Sequence, residues 1–160
     1  MQDFVRDFRQ TVESSAQQML AVAEAQGEMR PAPGQWSAKE ILGHLIDSAA
    51  NNHRRFVEAQ LKDDLVFPGY DPERWVAVQR YQQAAWVGLI ALWRAYNLHL
   101  AHVIASCPEE VLRQPREQHS LDRLAPQLVS PDSPASLDLL IRDYYAHLEM
   151  HLGQLFSACG

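Results

Sequence analysis

The sequence predicts an all-α fold: a four-helix bundle with a short extra helix and a long crossover loop before the last helix. Three observations carry this prediction. Apolar residues recur at helical spacing in four long stretches, and proline, glycine or a capping serine marks the ends of those stretches. The 160 residues contain no internal repeat, low-complexity tract or interdomain linker, so residues 1–160 are expected to close one core as a single domain.

The first helix is expected from about Asp3 to Gln26, with Phe4, Phe8, Val12, Ser15, Met19, Val22 and Ala23 on one stripe and Gly27 ending it. Pro31 and Pro33 then enforce an extended connection. Ser37-Ala-Lys-Glu40 has capping-box spacing, and Trp36 just before it is placed to staple onto Ile41, so a second helix starts here and is expected to reach Lys62. Its wheel carries an apolar flank of Ile41, Leu45, Phe56 and Ala59. Beside that flank runs a polar strip of His44, Ser48, Asn51, Asn52 and Arg55.

Phe67-Pro-Gly-Tyr-Asp-Pro72 is turn chemistry, and Pro72 suits the first turn of a short helix bearing Trp75 and Val78. The third long helix is expected from Tyr81 to Ser106 along Tyr81, Ala85, Leu89, Leu92, Trp93, Tyr96, Leu100, Val103 and Cys107, with Pro108 stopping it. Between Glu109 and Ser136, Pro115, Pro126, Pro131 and Pro134 interrupt brief apolar pieces such as Leu121, Leu124, Leu128 and Val129. This stretch reads as a long ordered loop with short strand-like pairing, and loops of this length in compact domains are often functional. Ser136 caps the last helix, which runs to about Ser157, and Asp138 complements its dipole.

A formal charge of -6 and a pI near 5.6 argue against non-specific attraction to nucleic acid or to an anionic membrane, since both need a basic face. The opening Met1-Gln-Asp-Phe-Val-Arg-Asp has no basic start or apolar core, so no signal peptide is expected, and no apolar run is long enough for a membrane span. A cytoplasmic protein follows as the expectation. Cys107 and Cys159 form neither a disulfide framework nor a zinc-ribbon spacing and are expected as free thiols.

The chemistry concentrates in three imidazoles. On the last helix, Leu137, Leu140, Tyr144, His147, Leu148, His151 and Leu155 share a face at about 100° per residue, which aims His147 and His151 at the core. His44 on the second helix supplies a third inward ring. Three imidazoles from two facing helices suit a divalent ion with a coordination position left open, and zinc, nickel, iron and manganese all accept such donors. The same spacing also fits core histidines bonded to carbonyls or hydroxyls. Glu149 falls on the far side of the helix from His147 and His151, so the built-in base of the zincin motif is absent and metalloprotease activity is not expected.

Arg55 with Asn51 or Asn52 is placed to receive an anionic part of a substrate, although Arg55 could equally snorkel to the surface. Tyr144, Trp75 and Tyr81 are candidates to line a pocket, with ordinary core packing as the alternative. Asp47 and Asp143 flank the histidine faces as outer-shell orienters or, more commonly for Asp, as solvated surface acids. His53 is expected to be exposed opposite His44, and His99 and His102 to lie on the surface or at an interface. His119 in the long loop is a remote candidate for a further ligand or acid.

Trp36-Ser-Ala-Lys-Glu-Ile-Leu-Gly-His44-Leu-Ile-Asp47, followed by His147-Leu-Glu-Met-His151-Leu-Gly-Gln-Leu155, resembles the DinB-like superfamily, also termed the DinB/YfiT-like metalloenzymes. The likeness spans the chain in helix order, but only these two stretches are specific. It implies a four-helix bundle holding a divalent metal on three histidines, here His44, His147 and His151, and a homodimer. It also implies chemistry of the type seen in relatives that use bacillithiol or mycothiol as thiol-dependent transferases and isomerases. A metal-dependent thiol S-transferase or hydrolase acting on a small molecule is the resulting expectation, with a low-molecular-weight thiol as a possible second cofactor. The alternative is a non-catalytic metal- or ligand-binding module of a stress response.

Overall fold

The computed structural model describes residues 1–124, 129–130 and 132–160. Four long helices build the bundle: α1 (Gln2–Leu20), α3 (Ala38–Glu58), α5 (Trp86–Ser106) and α8 (Leu137–Ala158). Between them lie the short helices α2 (Glu24–Glu28), α4 (Pro72–Gln79), α6 (Glu109–Arg113) and α7 (Leu121–Leu124). Helix α1 packs on α5 and α8, and α3 packs on the same two, so α1 and α3 face each other across the bundle. Successive long helices α1 and α3 are therefore diagonal partners, as are α5 and α8, and two crossovers replace up-and-down hairpins.

The first helix is shorter than its apolar stripe suggests. It stops at Leu20, where the Met19 carbonyl accepts from the Val22 backbone N–H at 3.1 Å and also from the Trp86 indole N–H at 3.0 Å. Gly27 does not end a helix; it lies buried within α2. A Cβ there would sit 3.4 Å from the Trp86 ring, so the missing side chain lets α2 rest on the indole. Glu24 accepts from the Trp86 backbone N–H at the start of α5, and with Glu28 it holds the buried Lys39 ammonium at 2.8 Å. One short helix thus ties α1, α3 and α5 together.

Ser37 caps α3 through the expected reciprocal bonds with Glu40, but α3 ends at Glu58 rather than Lys62. The Arg116 guanidinium, arriving from the crossover, donates to the Ala59 carbonyl at 3.0 Å and closes that end. Helix α5 starts at Trp86, after a 3₁₀ turn at Tyr81–Gln83, and its buried face is rotated from the expected stripe. Trp86, Leu89, Ile90, Trp93, Asn97, Leu100, Ala101 and Ile104 are buried, whereas Leu92 is exposed. This helix is apolar almost all round, so periodicity alone leaves its inward face undecided.

The stretch expected as a long loop contains α6 and α7. It is stitched by two isolated bridges, Leu65 with His119 in parallel and Arg116 with Ala135 in antiparallel sense, which is the strand-like pairing expected there. Pro126, Leu128 and Pro131 lie outside the described residues. On α8 the buried set is Leu137, Leu140, Ile141, Tyr144, Leu148, Leu152 and Leu155. This places His147 and His151 at the half-buried edge of the apolar stripe rather than at its centre.

Candidate metal centre

Helices α3 and α8 lie side by side and bring the three histidines to one place. One ligating atom of each ring falls within 4.8 Å of the others. His44 Nε2 and His147 Nε2 are 3.3 Å apart, and the His151 ring centroid is 4.7 Å from that of His44 and 4.4 Å from that of His147. His44 is buried, His147 and His151 are half-buried, and the cluster therefore opens toward solvent on its α8 side.

Burial shapes the electrostatics. The His44 pKa is pushed down to about 3, first by desolvation and then by the neighbouring His151 and His147 rings. That of His147 is pushed down to about 4 by desolvation and by His151, and His151 is lowered by desolvation against a bond to Gln154. All three are held as neutral imidazoles, the form that donates a lone pair to a metal.

The residues fit a divalent ion. Two nitrogens bound about 2.0–2.1 Å from one tetrahedral centre stand about 3.3–3.4 Å apart, and the His44 and His147 Nε2 atoms have that spacing. Neither ring finds the carbonyl or hydroxyl that a purely structural histidine would take, since His44 Nδ1 and His147 Nδ1 are buried without a partner. The described residues also supply no outer-shell acceptor to those two atoms, whereas His151 has one, Gln154 Oε1 at 2.8 Å from Nδ1.

A cavity of about 230 Å³ adjoins the cluster between α3 and α8, with His44 and His147 on its wall. Arg55 and Tyr144 line it as the sequence suggested, and of the two asparagines it is Asn52 that does so. Asn51 lies off the cavity, its amide donating to the Asp47 carbonyl. Tyr144 offers the cavity its ring, because its hydroxyl is committed to Asn97 Oδ1 at 2.5 Å. Ser48, Tyr70 and Arg123 complete much of the polar lining. Ser48 was visible in the polar strip of α3, whereas Tyr70 and Arg123 sit in turn and crossover segments that carry no periodic signal.

Asp47 is neither a surface acid nor an orienter of a histidine. It is 3% exposed and accepts from the Tyr81 hydroxyl at 2.7 Å and the Gln79 amide at 2.6 Å. Tyr81 is thereby a core residue, and Trp75 is partly exposed and packs on Tyr70. Asp143 is half-buried on the cavity wall, its pKa raised by desolvation against the pull of Arg55.

His119 stays in the crossover, where its Nε2 contacts the Ser133 carbonyl at 2.8 Å, away from the cluster. His53 is half-buried rather than exposed, because the Tyr96 and His99 rings stack edge-on against it. His99 and His102 are exposed on α5 as expected.

A second, wider groove of about 850 Å³ runs between the segment before α3 and the last turns of α8, lined by Trp36, Ile41, Met150 and Gln154. Trp36 separates it from the cluster, with its ring 5.3 Å from that of His44. No helix of the described residues is long and apolar enough to cross a membrane.

The fold and the sequence can be placed among known proteins. No curated protein matches the sequence significantly. Among solved structures, YfiT from Bacillus subtilis, described as a probable metal-dependent hydrolase with an unusual four-helix bundle topology, superposes with a TM-score of 0.78 at 17% identity. The match covers 98% of this chain and 84% of YfiT. The family model of the DinB superfamily matches residues 7–155, a span that carries the core of all four long helices and the three clustered histidines, and the chain belongs to the DinB superfamily.

Proposed function

We propose that the protein is a metal-dependent enzyme of the hydrolase or thiol S-transferase type, in which His44, His147 and His151 hold one divalent cation. The observation that carries this reading is the convergence of three neutral imidazoles from α3 and α8 beside a cavity, with no fourth protein ligand among the described residues. Zinc, nickel, iron and manganese all suit the donor set. A cation bound there supplies Lewis acidity and lowers the pKa of a water or a low-molecular-weight thiol entering its open position.

The chain's own residues do the rest. Arg55, Asn52 and the Tyr144 ring bind and orient the small-molecule substrate in the cavity, and the buried α3 face excludes bulk water. Asp143 lies one helical turn before His147 on the same wall. Desolvation raises its basicity, so it is the carboxylate placed to take the proton of the nucleophile. A cytoplasmic setting, which keeps small thiols and the free Cys107 and Cys159 reduced, belongs to the same reading. So does a homodimer, supported by exposed Val87 and Leu92 on α5 and Leu20 at the end of α1.

One observation favours a second reading, a non-catalytic metal- or ligand-binding module. The bare Nδ1 atoms of His44 and His147 leave two rings without the outer-shell acceptor that commonly tunes a catalytic metal. Cobalt-substituted protein titrated with small thiols separates the two readings. A thiolate-to-cobalt absorption band that saturates at one thiol per chain is expected for the enzyme. A spectrum unmoved by any thiol, together with no hydrolysis of activated esters, would favour the module.

A further inference from the structure

The cavity beside the histidines holds a buried guanidinium that makes no ion pair among the described residues, although Asp143 on the same wall acts on it from a distance. Arg55 is 7% exposed, yet its Nη1 donates to the neutral Asn52 Oδ1 at 3.3 Å and its Nη2 to the Pro68 carbonyl at 3.2 Å. Among the described residues it makes no salt bridge. A guanidinium carries five N–H donors in a planar fork, so donors remain after these two bonds. Burying a charge without an ion-pair partner is costly, and a neutral amide could have tied α3 to the Pro68 turn without that cost. Arg123 on α7 lines the same cavity from the crossover side. Among the described residues Asp143 is the one carboxyl on the wall, so two guanidiniums face one acid.

We infer that the cavity receives the oxyanion of a small substrate, a carboxylate or a phosphate, with Arg55 as its buried anchor and Arg123 meeting it from the crossover. Planar bidentate recognition of such groups is the chemistry a guanidinium fork performs best. Arg55 stands three turns beyond His44 on α3, and its side chain leans toward the helix N-terminus. The anion therefore lies on the order of 10 Å from the histidines. The substrate is accordingly small and elongated, charged at one end and reactive at the other. This inference rests on the proposed function, because it takes the cavity beside the histidines as the substrate chamber.

The test uses the full chain stripped of metal by a chelator, so that direct binding of an anion to a cation cannot contribute. Calorimetric titrations with inorganic phosphate and with succinate identify which oxyanion is held. One of the two is expected to saturate at one per chain, and Arg55→Gln to weaken it about ten- to hundredfold, as removal of a charge-assisted pair does. Arg55→Lys is expected to recover only part of the loss. Absence of binding by both anions to the wild-type chain, or wild-type affinity in Arg55→Gln, overturns the inference. If Arg55→Gln does not fold, Arg123→Gln at its exposed position decides: affinity lowered about threefold or more supports the anion site, and unchanged affinity overturns it. Metal content measured on the same samples before stripping keeps the two ideas apart, since a chain that never carries metal but binds the anion contradicts only the proposed function.

Discussion

A buried imidazole is costly unless something accepts or donates at both nitrogens, and among the described residues the nitrogens of His44 meet only the His147 ring at Nε2 and nothing at Nδ1. That residue-scale fact makes two predictions. His147→Ala and His151→Ala each remove one donor from a half-buried position, so each is expected to lose bound metal while keeping the helical circular dichroism of the wild type. Metal retained at full stoichiometry in both variants would assign the rings to scaffold.

The second prediction concerns pH. All three rings have folded-state pKa values below the ordinary 6.5, down to about 4 for His147 and about 3 for His44. Below 6.5 the unfolded chain therefore binds more protons than the fold. The metal-free protein is expected to have its full stability above that pH and to lose it progressively toward pH 4, by up to about 1.4 kcal/mol per pH unit for each of His44 and His147, with a smaller contribution of the same sign from the more exposed His151. Thermal melts in chelator at pH 7.5, 6 and 5 check this, and a melting temperature that stays flat across that range contradicts it.

The inward direction of His44, His147 and His151 was legible because side-chain direction on a helix follows from spacing. The environment of Asp47 was not, because its partners Gln79 and Tyr81 arrive from another element.

At the scale of the element, α3 carries both core and site, as α8 does. Its start was readable from Ser37 and Glu40, whose capping bonds are local. Its end was not, because Arg116 closes it from 57 residues away. Helix α1 shows the same limit, since the indole bonded at its end comes from Trp86, 67 residues away. Gly43 is the position on α3 where a single methyl group should matter most. A Cβ there would come within 2.0 Å of the Tyr81 ring, against which the helix lies, and Tyr81 in turn holds Asp47. Gly43→Ala is expected to destabilise the protein by about 1–3 kcal/mol as the ring is displaced, despite the better helix propensity of alanine. Denaturant unfolding measures this, and a variant as stable as the wild type would show that Tyr81 moves without cost.

For the whole molecule, the class of fold was readable from four apolar periodicities, while the pairing of the helices was not. Nothing in the periodicity of α1 and α3 says that they sit diagonally. The crossovers decide that, and the crossover before α8 is held by backbone bridges and by Arg116 rather than by an apolar stripe. The diagonal arrangement sets α3 beside α8, and this is what converts His44 and the His147, His151 pair into one site.

The measurement that bears most directly on that site is elemental analysis of protein purified from its native source beside the His44→Ala variant. About one divalent metal ion per wild-type chain is expected, and it should be lost in the variant with the helical fold retained. Wild-type protein that carries no stoichiometric metal, and whose melting temperature is unmoved by added zinc, nickel, manganese or ferrous iron, would contradict the account.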